Sequence, residues 1–230
     1  MASEFRGHTV ATMADTAAPP PPPPDVRDVA FDVDYPDRDL DRLTSAFRAI
    51  VIIPIAVVLA SIGGDTTSWT HADQSYSVAV GGTGLLVLPP LLMLVFRRKY
   101  PRWWFDFNRE LMRFTARVGA YAALLTDRYP STDEQQDVHL ELPEPDGGRL
   151  NQWLPLVKWL LAIPHYIVLA FLYVGVVVAV VIAWFAILFT GRYPRGLFDY
   201  VVGVGRWHVR VVAYAFALVT DEYPPFRLAP

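Results

Sequence analysis

The sequence predicts an all-α membrane protein made of two parallel repeats, each a short transmembrane hairpin followed by an interfacial amphipathic helix, with short cytoplasmic strands. Three observations lead there. Of the 230 residues, 53% are apolar and the mean hydropathy is +0.27, a membrane composition. Apolar runs at Ala46–Ile62, about Val78–Phe96 and Leu154–Thr190 have the length of candidate spans. A Y-P-R-x-x-F-D segment stands twice, at Tyr100–Asp106 and Tyr193–Asp199, and each copy leads through a helical pattern to a closing T-D-x-Y-P.

In chain order, residues 1–25 read as a disordered tail that ends in the proline run Pro19–Pro24, a stiff polyproline stretch without backbone donors. Residues 26–130 form the first membrane repeat and 131–230 the second. The absence of a continuous apolar core near the amino terminus predicts no cleaved signal, and the absence of cysteine excludes disulfides and thiolate metal sites. Val29–Tyr35 alternates, with Phe31, Val33 and Tyr35 opposite Asp32 and Asp34, and predicts a strand that Pro36 ends. Val138–Leu142 repeats the pattern before Pro143. Asp37, Asp39 and Asp41 imitate the opening of a calcium loop, but the turn glycine is missing and Arg48 stands where the closing glutamate is needed, so an acidic turn is expected.

The first run is interrupted by Pro54, and the second carries Gly81, Gly82, Gly84, Pro89 and Pro90, which spans tolerate. Ser61–Ser77 between them has no lysine or arginine, whereas Arg97, Arg98, Lys99 and Arg102 follow directly, so the positive-inside rule puts the basic end in the cytoplasm. As one helix Leu154–Thr190 would be about 55 Å long, against roughly 30 Å of hydrocarbon. Arg48 and Pro54 stand six apart, as Lys158 and Pro164 do, so the long run is expected to fold like the first copy, as a hairpin turning near Tyr173–Gly175. An even number of spans per repeat gives a multi-pass protein with a pseudo-twofold along the membrane normal and both termini cytoplasmic.

After each hairpin a helical pattern carries arginines that are costly at the bilayer centre, so these segments are expected to lie at the interface, with Trp103, Trp104, Phe105, Leu111, Phe114 and Val118 towards acyl chains or spans. Seven, eleven and fifteen residues beyond the aspartate come Arg, Arg and Tyr, all within about 80° on one helical face. The stripes are Asp106, Arg113, Arg117, Tyr121 and Asp199, Arg206, Arg210, Tyr214. Two readings suit them: an internal ion-pair network, or guanidinium forks that hold anionic lipid headgroups. His165, the one intramembrane histidine, follows Pro164 and reads either as a donor to a carbonyl left free by that proline or as a proton relay. Lipid-phosphate catalysis would need metal-binding carboxylates or a nucleophile with its base, and one aspartate per copy among arginines does not supply them.

Trp184–Phe189, Thr190–Pro194, Leu197–Asp199, Arg206, Arg210, Tyr214 and Asp221–Phe226, with Ile163, Pro164 and His165, resemble a family of prokaryotic polytopic membrane proteins catalogued only as a domain of unknown function. The resemblance is specific over Leu154–Phe226 and looser over Arg48–Pro130, where Arg98 and Lys99 replace Gly191 and Arg192, and Ile55 replaces His165. It implies membrane location and duplication and no catalytic residue. The expected role is therefore non-enzymatic: a lipid-contacting scaffold or an accessory subunit of a membrane assembly, with the bilayer, anionic lipids and other membrane proteins as partners. The alternative is a small transporter or channel. No cofactor, metal or nucleic acid is expected.

Overall fold

A computed structural model describes residues 29–36, 38–63, 66–71, 74–79, 83–132, 134 and 136–229, with side chains left aside over 60–85. The proline-rich tail, Asp37, Gly81 and Gly82 lie outside the described residues. The chain is mostly helical. Its elements are β1 (Ala30–Val33), α1 (Arg42–Val51), α2 (Ile53–Gly63), β2 (Thr66–His71), β3 (Gln74–Ala79), α3 (Thr83–Arg97), α4 (Arg102–Ala122), β4 (Val138–Glu141), α5 (Pro155–Leu161), α6 (Ile163–Thr190) and α7 (Arg195–Ala215).

The two alternating segments form strands and pair with each other. β1 and β4 run antiparallel with Phe31 opposite Leu140 and Asp32 opposite His139. Phe31, Val33, Val138 and Leu140 are buried, while Asp32, His139 and Glu141 face outward, as a period of two dictates. α7 packs on β1 and α4 on β4. The basic-free stretch between the first two apolar runs also contains an antiparallel pair, β2 with β3, which its charge pattern does not predict.

Both prolines start a helix anew. α1 is capped at Ile52 and α5 at Ala162, each two residues before the proline, because a prolyl ring has no N–H and collides with the carbonyl four residues back. Pro54 and Pro164 thus fall at the second position of α2 and α6, where a missing donor costs least.

The expected hairpin near Tyr173–Gly175 does not form. α6 runs unbroken for 28 residues, about 42 Å. Gly175 is a contact rather than a turn: a Cβ there would collide with the Tyr200 hydroxyl, which donates to Leu172 O at 2.9 Å. The helix ends at Gly191 in the left-handed region (φ +78°), whose N–H returns to Ile187 O at 2.8 Å. Among the described residues α6 is the one helix long and apolar enough to cross a membrane; α1 and the first part of α2, bent by 41°, qualify only if taken together.

α4 and α7 form over the two predicted helical segments, both 21 residues long and both entered from an extended proline, Pro101 or Pro194. α7 is buried on most sides by the rest of the protein, with Val202, Val204, Trp207, Val211 and Tyr214 at 5% exposure or less. Its glycines explain why: Gly203 lies against Leu228 of the carboxyl-terminal tail and Gly205 against Phe31, so strand and tail close over the face the arginines occupy. On α4, Phe105 and Val118 are buried as expected for inward positions, while Trp103 is 68% exposed.

Helix propensity favours alanine over glycine by about 1 kcal/mol, yet Gly175→Ala is expected to lower the thermal midpoint, because the added methyl displaces the Tyr200 hydroxyl at an overpacking cost of about 1–3 kcal/mol. Tyr200→Phe in the same chain should restore part of the loss; calorimetry or fluorescence unfolding of the single and double variants measures it.

Candidate functional site

Two buried cations hold corresponding places. Arg48 on α1 is 3% exposed and Lys158 on α5 is fully buried. Arg48 pairs with Asp127, donates to Thr126 O at 2.7 Å and Tyr121 O at 3.3 Å, and stands 4.4 Å over the Tyr121 ring. Lys158 pairs with Asp221 at 2.7 Å, donates to Thr220 O at 2.6 Å, and lies 5.1 Å from the Tyr214 ring centroid. Each carboxylate spends its other oxygen on a backbone N–H, of Asp41 (2.8 Å) or Asn151 (2.6 Å). The T-D of each closing turn is thus a receptor for a cation seven residues beyond Asp41 or Asn151.

The turns that present these carboxylates are strained. Leu124 and Leu218, just before them, lie at φ +64° and +57°, a region that costs a leucine about 1–2 kcal/mol. Burial of both side chains, at 3% and 1% exposure, offsets that cost.

The structure divides each predicted stripe among different partners. Tyr121 and Tyr214 are the aromatic floors of the buried cations. Arg113 donates to Leu140 O of β4 (3.0 Å) and pairs with Glu110 (2.9 Å); Arg117 donates to Ser131 O (2.7 Å). Arg206 joins three segments, donating to Phe31 O (3.0 Å), Leu228 O (3.1 Å) and Asp32 (3.0 Å). Arg210 donates to Ala229 O at 2.6 Å and Arg227 O at 3.4 Å. Burial first, then Arg227 and Arg206, push its pKa down.

The aspartates do not join these arginines. Asp106 pairs with Arg109 at 3.2 Å, and Asp199 is exposed with no ion pair among the described residues. In the cleft beside α7, Arg206, Arg210 and Arg227 are matched by Asp32, Glu141 and Glu222. The guanidinium donors therefore hold the protein's own carbonyls, strand and tail.

His165 is fully buried, but not as a donor to a carbonyl freed by Pro164. Its Nδ1 accepts the Trp207 indole N–H at 3.0 Å, so the neutral ring carries its proton on Nε2, which finds no partner among the described residues. The ring stacks on Phe226 (4.0 Å, 17°) and lies 4.8 Å from Tyr223. It is Tyr223 whose hydroxyl reaches a carbonyl at the helix break, Leu161 O at 3.2 Å. No carboxylate bonds His165, which leaves a relay without a proton partner among the described residues.

Sequence reasoning singled out the arginine stripes and missed the cations that the T-D turns hold. The signal was present in two separate places: the equal spacing of Arg48 and Lys158 from their prolines, and the duplicated T-D-x-Y-P. Among the described residues no group of three or more His, Cys, Asp or Glu side chains is placed to hold a metal ion.

A family model described as "Domain of unknown function (DUF4389)" matches residues 155–227, about a third of the chain. The matched stretch contains Lys158, His165, Trp207, Tyr214, Asp221 and Phe226, the side chains of the second cation pair and of the histidine cage, but not Asn151, whose N–H holds the other Asp221 oxygen. No curated protein and no solved structure matches the chain.

Asp221→Ala strands a buried ammonium and is expected to cost about 3–5 kcal/mol, whereas Lys158→Met with Asp221→Leu should unfold within about 1 kcal/mol of the native chain. Denaturant titration in detergent distinguishes this from additive losses. Arg206→Gln is expected to raise amide exchange over residues 29–33 and 227–229 together; a rise in only one of the two would break the three-segment junction.

Proposed function

We propose that the chain is a non-enzymatic integral membrane protein in which two related halves form a lipid-contacting scaffold or an accessory subunit of a larger membrane assembly. The observation that carries this reading is the outer face of α6. Only 17% of its most apolar window is buried, and Ile167, Phe171, Val174, Val178, Phe185 and Phe189 stand exposed along its length. A core helix of a water-soluble protein would be covered, and exposed apolar patches beyond a few hundred Å² mark a membrane or partner surface. α1 and α5 continue the surface with Leu43, Phe47 and Ile50, and with Leu156, Trp159 and Leu160.

The duplication is supported by corresponding devices: proline-started helices, equal lengths of α4 and α7, left-handed leucines, and two cations on T-D turns. β1 and the tail meet at Arg206, which supports a reading with the two described ends on one side of the bilayer. Arg102 pairs with Glu144 just past β4, so the basic end of α3 belongs with the same layer; by the positive-inside rule that side is cytoplasmic. Anionic headgroups would then meet exposed Arg97 and Lys99, since Arg206 and Arg210 are engaged internally. The carboxylates of the two T-D turns, Asp127 and Asp221, are committed to buried cations, which favours a structural role.

Nitroxides placed singly at Ile167, Phe171, Val174, Val178 and Phe185 in vesicle-reconstituted protein should collide with dissolved oxygen more than with a water-soluble nickel chelate. A reversed preference along the whole helix would remove the membrane assignment. Val178→Asp should cost insertion by about 2.5–3.5 kcal/mol if that residue lies near the bilayer centre.

A further inference from the structure

Between α4 and α7 the molecule leaves a groove of about 530 Å³, floored by Phe31 and Leu140 of the strand pair and flanked by Tyr173 and Val176 of α6. One wall is the α4 face from Asn108 to Ala123, the other the α7 face from Val201 to Phe216. Small side chains make the space. Ala116, Gly119 and Ala120 line the α4 wall, and a Cβ added at Gly119 would meet nothing within 4 Å.

The dimensions decide what fits. Asn108 to Ala123 is about 22 Å of helix, so 530 Å³ open to the centre of a water molecule along that length corresponds to a slot roughly 8 Å between its walls. That is too narrow for an α-helix, about 10–12 Å across, and longer than the hydrocarbon of one leaflet, about 15 Å. The lining is apolar apart from a few side chains, among them Thr115, whose hydroxyl is turned back onto Leu111 O at 2.8 Å, and His208, edge-on to Tyr173 at 5.8 Å. Tyr173 is itself 41% exposed and adjoins Val174, at 65%, so the side of the groove meets the apolar face of α6.

We propose that this groove takes a single acyl chain of a membrane phospholipid, entering from the bilayer beside Tyr173. The inference rests on the membrane reading of α6, and its test separates the two. The full chain is reconstituted in phosphatidylcholine vesicles with a fraction of lipid bearing a diazirine in its acyl chain, irradiated, digested and mapped by mass spectrometry. Label is expected on α6 around Phe171–Val178 and also on the facing walls of α4 and α7. Gly119→Leu, whose Cβ would meet nothing within 4 Å and whose side chain narrows the groove, should lower α4 and α7 labelling about tenfold, as loss of about 1.4 kcal/mol of affinity does, while α6 labelling stays. Val212→Phe, filling from the opposite wall, should act alike and serves if the first variant does not fold. Label on α6 with none on α4 and α7, or α4 and α7 labelling that neither variant lowers, would overturn the groove and leave the membrane reading. An unlabelled α6 would overturn both.

Discussion

The fold depends on burying two cations. An ammonium or guanidinium withdrawn from water costs several kcal/mol unless an opposite charge and enough hydrogen-bond partners replace the solvent. Arg48 and Lys158 each receive a carboxylate, a threonine carbonyl and an aromatic face. Meeting that requirement brings each T-D turn, distant in sequence, onto the start of its apolar helix, and it fixes where α4 and α7 must end. The left-handed leucines follow from the same demand, since the chain has to reverse within one residue for the aspartate to point inward. Because each aspartate also accepts the N–H of Asp41 or Asn151, the segment leading into α1 or α5 is bound to the same point.

A second set of cations acts farther along the same face of α7, one and two turns before Tyr214. Arg206 and Arg210 satisfy carbonyls at a strand edge and along a tail without regular structure, places where backbone acceptors would otherwise lack partners. Planar guanidinium, with several donors in a fixed fork, can serve two or three carbonyls at once, which lysine cannot do as well. The helix is thereby covered on its polar side by protein. Its burial, unexpected for a segment with two arginines, follows from that cover and from the glycines that let Phe31 and Leu228 approach.

Local structure was legible where short-range physics decides it. Alternation announced β1 and β4, and the duplicated motif announced two helices with matching beginnings. The bend assigned to Tyr173–Gly175 was not there, because glycine has two uses and periodicity does not tell them apart: it permits a turn, and it also admits a large neighbour such as Tyr200. The β2–β3 pair was missed because a polar stretch flanked by apolar runs was read by charge alone. The stripes were found, yet their partners were not, since arginine on one helical face says nothing of which carbonyl, carboxylate or strand lies opposite. Lys158 and Asp221 were both visible, 63 residues apart, and only tertiary structure joins them.

On the reading of two related halves, their differences locate what is particular to each. Pro164 follows Pro54 by 110 residues, whereas Tyr193 follows Tyr100 by 93, so the first half carries about 17 additional residues between these marks. β2 and β3 occupy that interval, between α2 and α3, where the second half has the unbroken α6. The first half therefore carries a hairpin inside what the second keeps as one long apolar helix. The second half in turn has His165 where the first has Ile55, and Trp207 where the first has Phe114, so the indole–imidazole bond has no counterpart. Both differences fall on α6 or its packing, and the matched family stretch begins eight residues before Ile163 and ends in the tail that encloses His165. On that reading the two halves share structural support through their buried cations, and the long apolar helix with its buried histidine belongs to the second.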